Sequence, residues 1–335
     1  MEASLDLRQL RYFVQIVESG SLSKASRLLF VAQPALSQQI GKLESEVGRA
    51  LLVRSPTGVA PTEHGLALYH HARFMLRQMD QAMAIARQGS GAVQGMVSVG
   101  LPATTVAVLG LPLVQRVHER YPGILLNVVE GMSGHLGQMM RLGKLDIAVL
   151  FGTDNAHDAT VEPLLEEELF VFLPQDGALF PAGRGSITFA EVASLPLIVP
   201  TGEHGLRRRI AGEFERRNLA MRIVAEIDSL SLVMHCVHAG IAATIKPMSA
   251  AFVEEERGRR VRALSISDAR LTRRNYLYSL PPSHLSAAAA AVGGEVRRIV
   301  RELIASGAWA GAIAVDRDEG PGILPAPAGR GERAA

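Results

Sequence analysis

The stretch FVAQPALSQQIGKLE, residues 30 to 44, carries amide and hydroxyl side chains at a spacing suited to touching DNA base edges. Glutamine pairs with adenine through two hydrogen bonds in the major groove, and serine serves several base edges. On a helix, Leu36, Ile40, Leu43 and Val47 fall on one face at steps of four, three and four residues, which is a core stripe. The opposite face holds Pro34, Gln38, Gly41 and Ser45, flanked by Ser37 and Gln33. It is small, uncharged and rich in hydrogen-bonding groups, where an ordinary solvated face would carry Lys and Glu. Pro34 suits the first helical turn, whose N–H groups lack helical partners anyway, so the helix is expected to begin near Gln33.

Elements that would position this face surround it. LRQLRYFVQIVESG repeats Leu7, Leu10, Val14 and Val17 and stops at Gly20, a helix C-terminal signal. SLSKASRLLF gathers Ala25, Leu28 and Leu29 on one side of a second helix, with Ser21 or Ser23 as N-cap. The short FVAQ connection then makes a helix-turn-helix. A generic helical hairpin packed on an enzyme is the competing reading. RALLVRSPTGVAPTEHG follows as a β-hairpin wing, and Thr62 is expected to cap a helix over residues 63–88. Leu68, Ala72, Met75, Met79, Met83 and Ala86 form its apolar seam. At 1.5 Å per residue that helix spans roughly 35 Å, so the seam is expected to meet a second subunit rather than lie on its own chain. His70 and His71 read as solvated.

GSGAVQG, residues 89–95, is a joint. Beyond it short apolar runs alternate with helices, from MVSVGLP through ILLNVVEG and LDIAVLFG to PLIVP, MRIVAEID and IAATIKP. This pattern implies a mostly parallel sheet covered on both faces, in two α/β units with a ligand cleft at the strand ends. A helix from Ser286 to about Ser306 closes the fold, and residues 307–335, rich in Ala, Gly, Pro and Arg, are expected to be disordered.

Composition excludes several classes. The 35 Lys and Arg against 33 Asp and Glu rule out a polybasic coat for nucleic acid, so DNA affinity must come from a few placed cations and more than one subunit. A single cysteine, Cys236, precludes an intrachain disulfide and fits a reducing cytoplasm, the expected location in the absence of an export signal at the N-terminus. The uncharged stretch Gly89 to Gln115 is broken by Pro102 and Pro112 and by glycines, which argues against a membrane span. No P-loop, H-E-x-x-H, G-x-S-x-G or dinucleotide fingerprint occurs, so no enzyme and no cofactor are expected. His235, Cys236 and His238 in MHCVH, and Asp154, His157 and Asp158 in TDNAHD, fall short of a metal ligand set.

The run from LRQLRYFVQIVESG through AQPALSQQIGKLESEVG to GVAPTEHG resembles the N-terminal module of LysR-type transcriptional regulators, and the likeness extends over roughly residues 5–304. Together with EIDSLSLV these stretches are most similar to the branch concerned with nitrogen assimilation. The resemblance implies an α/β fold with an all-α N-terminal module: a winged helix-turn-helix over 1–62, a dimerisation linker helix over 63–90, and a two-lobed effector domain of the type 2 periplasmic-binding-protein kind over 94–306. One lobe would comprise about 94–168 plus 269–306, the other 169–268. It implies that Gln33, Pro34, Ser37 and Gln38 face bases, with Arg54 at phosphates or the minor groove and Lys24 and Lys42 as candidate phosphate contacts. Thr57 and Ala60 stand in the wing where the family is often basic, and Ala32 replaces a Ser or Thr cap. Family ligand contacts map to Thr104, Thr105, Thr201 and His204, although Thr201 reads equally as a helix N-cap and Thr104 or Thr105 equally as caps. Lys246 stands where the family is usually apolar; it would either attract a carboxylate or phosphate, or snorkel to solvent or pair with Glu254 or Asp228. The implied partners are double-stranded operator DNA, further copies of the chain as a dimer of dimers, a small anionic effector and RNA polymerase, with no membrane. The alternative is a cytoplasmic solute receptor or an enzyme on the two-lobed fold, its N-terminal helices serving only assembly.

Overall fold

A computed structural model of the chain describes residues 6–56, 58–87, 93–152, 159–175, 179–202, 204–252, 261–282 and 285–315. Three helices open it: α1 (Leu7–Ser19), α2 (Leu22–Leu29) and α3 (Gln33–Val47). Each boundary has a local cause. Asp6 accepts from the Arg8 amide at the start of α1, Gly20 ends it in the left-handed region at φ 64°, and Ser21 rather than Ser23 caps α2. Leu36, Ile40 and Leu43 lie buried against Leu10, Phe13 and Ile16, as the stripe requires. Val47, the fourth stripe residue, is instead 41% exposed, because α3 ends there and Gly48 turns the chain away.

The wing is the antiparallel pair β1 (Leu52–Ser55) and β2 (Gly58–Pro61), and it hangs on the reading helix. Glu44 of α3 accepts from the Leu51 amide at 2.8 Å and from the Leu52 amide at 3.1 Å. Thr62 caps α4 (Glu63–Arg87) by accepting from the Gly65 amide at 2.9 Å. A Cβ on Gly65 would sit 1.9 Å from the Leu51 carbonyl oxygen, so this close crossing of helix and wing needs glycine. Gly65→Ala is expected to destabilise the N-terminal module by about 2 kcal/mol or more, read as a lower denaturant midpoint; an unchanged midpoint would mean that the crossing relaxes freely.

The seam of α4 divides. Leu68, Ala72 and Met75 pack into the helix-turn-helix core of the same chain, and Arg73 bridges Glu18 at 3.4 Å and donates to the Leu142 carbonyl at 3.5 Å. This corrects the expectation that the whole seam faces another subunit: a helix following directly on the wing must bury its first turns at home. Met79 is half-buried and Met83 exposed further along. Residues 89–92 of the joint lie outside the described residues, as does Thr57.

The remainder is a two-lobed α/β domain. Its main sheet runs β4 (Ile124–Glu130), β3 (Gly95–Leu101), β5 (Ile147–Phe151), β12 (Thr272–Ser279), β6 (Thr160–Pro174), β11 (Val261–Ile266) and β7 (Ser186–Ile187), with β10 (Thr244–Pro247) also on β6. β3, β4 and β5 are parallel, but β12, β10 and β11 are antiparallel to β6. The expectation of a mostly parallel sheet is therefore corrected: parallel pairing is confined to β3, β4 and β5 in the first lobe and to the short β7/β11 and β8/β9 pairs in the second, while the long strands that join the lobes run antiparallel. The 15-residue β6 carries the chain from one lobe to the other and β12 brings it back. Val97, Val149, Val292 and Trp309 belong to the first core, Val171, Phe189, Phe214 and Ile245 to the second. Around the sheets lie α5 (Ala103–Thr105), running through a π turn into α6 (Leu111–Arg120), α7 (Ser133–Arg141), α8 (Phe189–Ser194), α9 (Gly205–Arg216), α10 (Leu230–His238) and α11 (Ala287–Ala305), with β8 (Leu197–Val199) and β9 (Ile223–Glu226) as a separate parallel pair.

The C-terminal reading needs correction too. Residues 307–315 are ordered: Trp309 is buried and β13 (Ala312–Ala314) pairs with Leu165, Glu166 and Glu167 of β6. Only residues 316–335 of that segment lie outside the described residues. Among the described residues no helix is long and apolar enough to cross a membrane.

Candidate functional site

Two sites emerge. On the N-terminal module Gln33, Pro34 and Gln38 are exposed and Ser37 half-exposed along the outer face of α3. Ala32 provides no side-chain cap, and the helix start is tethered differently: Ser23 Oγ of α2 donates to Gln33 Oε1 at 2.9 Å. Arg54 Nη1 in the wing donates to Ser37 Oγ at 3.0 Å, tying wing to reading helix. Lys24 is exposed at the start of α2, and Lys42 is exposed on α3, where it pairs with Glu46 at 3.7 Å. The pair is long and its cation is exposed to solvent, so it is worth little and leaves Lys42 available to a phosphate. The seven residues thus occupy one surface, cations flanking an amide-rich ridge.

Between the lobes lies a cleft that is partly open to solvent. Its walls come from the start of α5 (Pro102, Ala103, Thr104), the start of α7 (Met132, Ser133), the end of β5 (Phe151), the start of α9 (His204, Gly205, Leu206), the approach to α10 (Asp228, Leu230), β10 (Lys246) and β12 (Arg273). Thr104, His204 and Lys246 therefore line it as expected. Thr105 and Thr201 do not, and both expectations are corrected. Thr105 is buried behind Thr104 on the same short helix. Thr201 is neither cleft wall nor N-cap, a place taken by His204; its amide and hydroxyl instead donate to Asp228 at 3.0 and 2.9 Å. Pro102, not a threonine, stands at the cap of α5.

Sequence reasoning missed the network at the hinge. Arg273 Nε donates to Glu167 Oε2 at 2.8 Å, Arg273 Nη2 donates to Thr104 Oγ1 at 2.8 Å, and the guanidinium lies 3.8 Å over the Phe151 ring. Glu167 also accepts from Asn275 Nδ2 at 2.7 Å, Trp309 Nε1 at 2.9 Å and Ser249 Oγ at 3.2 Å. Burial alone would raise its pKa, but the Arg273 charge with the indole, amide and guanidinium donors outweighs burial and holds the carboxyl below its ordinary value. Alternation along β6 was the available signal, since Glu167 shares a face with buried Leu165 and Leu169.

Lys246 is only 7% exposed. The expectation that it snorkels is overturned, Glu254 lies outside the described residues, and Lys246 makes no hydrogen bond or ion pair among the described residues, with Asp228 included. Burial first, and the Arg273 charge second, push its ammonium down to about 8 against a smaller opposing pull from Asp228. Asp228 itself is held below its usual range, where the Thr201 donors and His204 overcome a contrary effect of burial. Of the two metal readings, TDNAHD lies outside the described residues, and no three metal-type ligands converge among the described ones, the α10 histidines included.

A helix-turn-helix with an exposed amide ridge, joined by a long helix to a two-lobed binding domain, defines a ligand-responsive transcriptional regulator. The chain belongs to the LysR family: residues 7–66 match the family described as bacterial regulatory helix-turn-helix protein, lysR family, and residues 90–300 match the LysR substrate binding domain. It is 36% identical over 248 residues to the nitrogen assimilation regulatory protein nac of Klebsiella aerogenes, a match spanning 74% of this chain and 80% of the relative. The Escherichia coli protein of the same name is 34% identical over the same shares. A full-length OxyR variant from Pseudomonas aeruginosa superposes with a TM-score of 0.68 at 22% identity, covering 89% of this chain and 95% of that one, a likeness of fold.

Proposed function

We propose that the chain controls promoters of nitrogen metabolism by reading operator DNA through Gln33, Ser37 and Gln38, with Pro34 at the groove and Lys24, Lys42 and Arg54 on phosphates, and that a small effector in the interlobe cleft modulates this binding. The observation that carries the reading is the exposed ridge of α3, tethered at Ser23 and Arg54 so that its amides are held in fixed register. The relatives named for nitrogen assimilation support the metabolic assignment. The domains divide as 1–62, 63–90 and 94–306, and the protein works in the cytoplasm with RNA polymerase as its downstream partner. No catalysis is assigned to it.

The test is a gel shift with DNA from the neighbouring divergent promoter against unrelated DNA of equal length. Retardation of the promoter fragment at a concentration at least about a thousandfold lower is expected, the lower end of the usual span between specific and non-specific binding; equal retardation of both would overturn the reading.

Subunits pair through the distal part of α4, where Met79 and Met83 continue the seam beyond the home core, and paired dimers sit on half-sites spaced by about 10 bp or multiples of it. Met79→Glu places a charge in that contact and is expected to yield monomers in sedimentation. An unchanged mass would rule this contact out.

A further inference from the structure

Among the described residues, each charged group of the cleft except one is already matched by the protein. Arg273 is engaged by Glu167 and Thr104 and covered by Phe151. Asp228 is held by Thr201 and by His204, whose Nε2 lies 3.4 Å from the carboxylate. Lys246 has no such partner among the described residues, yet it is more than nine-tenths buried and lines the cleft. A buried cation left in this state is unfavourable unless something else supplies a negative charge.

A second group waits on the opposite lobe. Ser133, at 8% exposure, also lines the cleft, and its Oγ is buried without a hydrogen-bond partner. It is the first residue of the nine-residue α7, whose N-cap, Met132, has no side chain able to satisfy the helix amides. The start of α9 is equally without a side-chain cap, since His204 turns its imidazole to Asp228. Unmatched ammonium, orphan hydroxyl and uncapped helix ends all favour an anion.

The rest of the wall limits what that anion is. Pro102, Met132, Phe151, Leu206 and Leu230 make most of it apolar, and the ionised Asp228 opposes a second negative charge. We propose that the effector is a small monoanion with an apolar body, a medium-chain monocarboxylate in its simplest form, whose one charge is met by the Lys246 ammonium and the Ser133 hydroxyl. This rests on the reading of the cleft as the effector site. Dicarboxylates and phosphate are disfavoured because, among the described residues of the wall, one uncompensated cation alone is available to them.

The experiment is calorimetry on the full-length protein with hexanoate, hexanamide, glutarate and inorganic phosphate, together with hydrogen exchange in the presence of hexanoate. Hexanoate is expected to bind at least about tenfold more tightly than glutarate or phosphate, a difference of about 1.4 kcal/mol, and hexanamide not to bind measurably. Lys246→Met should weaken hexanoate about tenfold or more, and Ser133→Ala severalfold, the latter keeping the proposal testable if the lysine variant misfolds. Amides of residues 102–104, 132–133 and 204–206 should exchange more slowly with hexanoate bound. Tighter binding of glutarate or phosphate, no binding of hexanoate, or equal hexanoate affinity in wild type and both variants would overturn the monoanion. Hexanoate protecting amides elsewhere would instead overturn the cleft as effector site.

Discussion

Lys246→Met is expected to stabilise the ligand-free protein by about 3 kcal/mol at pH 7, the equivalent of lowering a lysine from 10.5 to about 8. The sign follows from proton binding. Between about pH 8 and pH 10 the unfolded chain holds a proton at this position that the folded chain has released, so wild-type stability rises with pH through that interval. Below pH 8 both states carry the charge and the full penalty of burying it is present. The methionine variant lacks both penalty and rise. Denaturant titrations of both proteins at pH 7 and pH 9.5 check this; equal stability with parallel pH dependence would mean that the ammonium is solvated in the folded protein. A residue that weakens its own fold is the usual mark of a binding group kept for its ligand.

The second large effect concerns Glu167. Glu167→Gln leaves Arg273 as a buried charge without a counter-ion and is expected to cost about 3 to 5 kcal/mol. Adding Arg273→Met to that variant should recover a large part of the loss, because the penalty belongs to the orphaned charge rather than to the missing contact. The pH dependence is opposite to that of Lys246. The folded pKa of Glu167 is depressed, so its contribution is complete above the ordinary value of 4.5 and disappears as pH falls through the lower folded value. A double-mutant cycle measured by chemical denaturation decides; strict additivity of the two substitutions would show that they do not act as a pair.

The N-terminal module was legible because its determinants are local. Gly20, Pro34 and Thr62 each act within a few residues, so the helix ends they mark follow from spacing, whereas spacing left the α2 cap open between Ser21 and Ser23. The exposed face of α3 was legible for the same reason, as the side opposite Leu36, Ile40 and Leu43. The cleft was legible only in part. Thr104, His204 and Lys246 lie at element ends that the strand and helix pattern marks, whereas Glu167 and Arg273 are 106 residues apart and meet only because β12 returns beside β6. The glutamate triplet Glu166 to Glu168 lies inside the crossing strand β6, whose polar residues keep it out of the pattern of short apolar runs. Trp309 was lost within an Ala- and Gly-rich segment, where one indole with a single donor reaching Glu167 outweighs local composition. The seam of α4 misled because periodicity reveals an apolar face without saying which chain covers it.

The central claim, that α3 reads sequence while the flanking cations supply affinity, is tested most directly by comparing Gln38→Ala and Lys42→Ala on the operator and on random DNA over a range of salt. Gln38→Ala is expected to cost about 1 to 3 kcal/mol on the operator and little on random DNA, leaving the salt slope unchanged. Lys42→Ala should weaken both and reduce the slope by about one. Equal losses on both DNAs for Gln38→Ala would contradict the account.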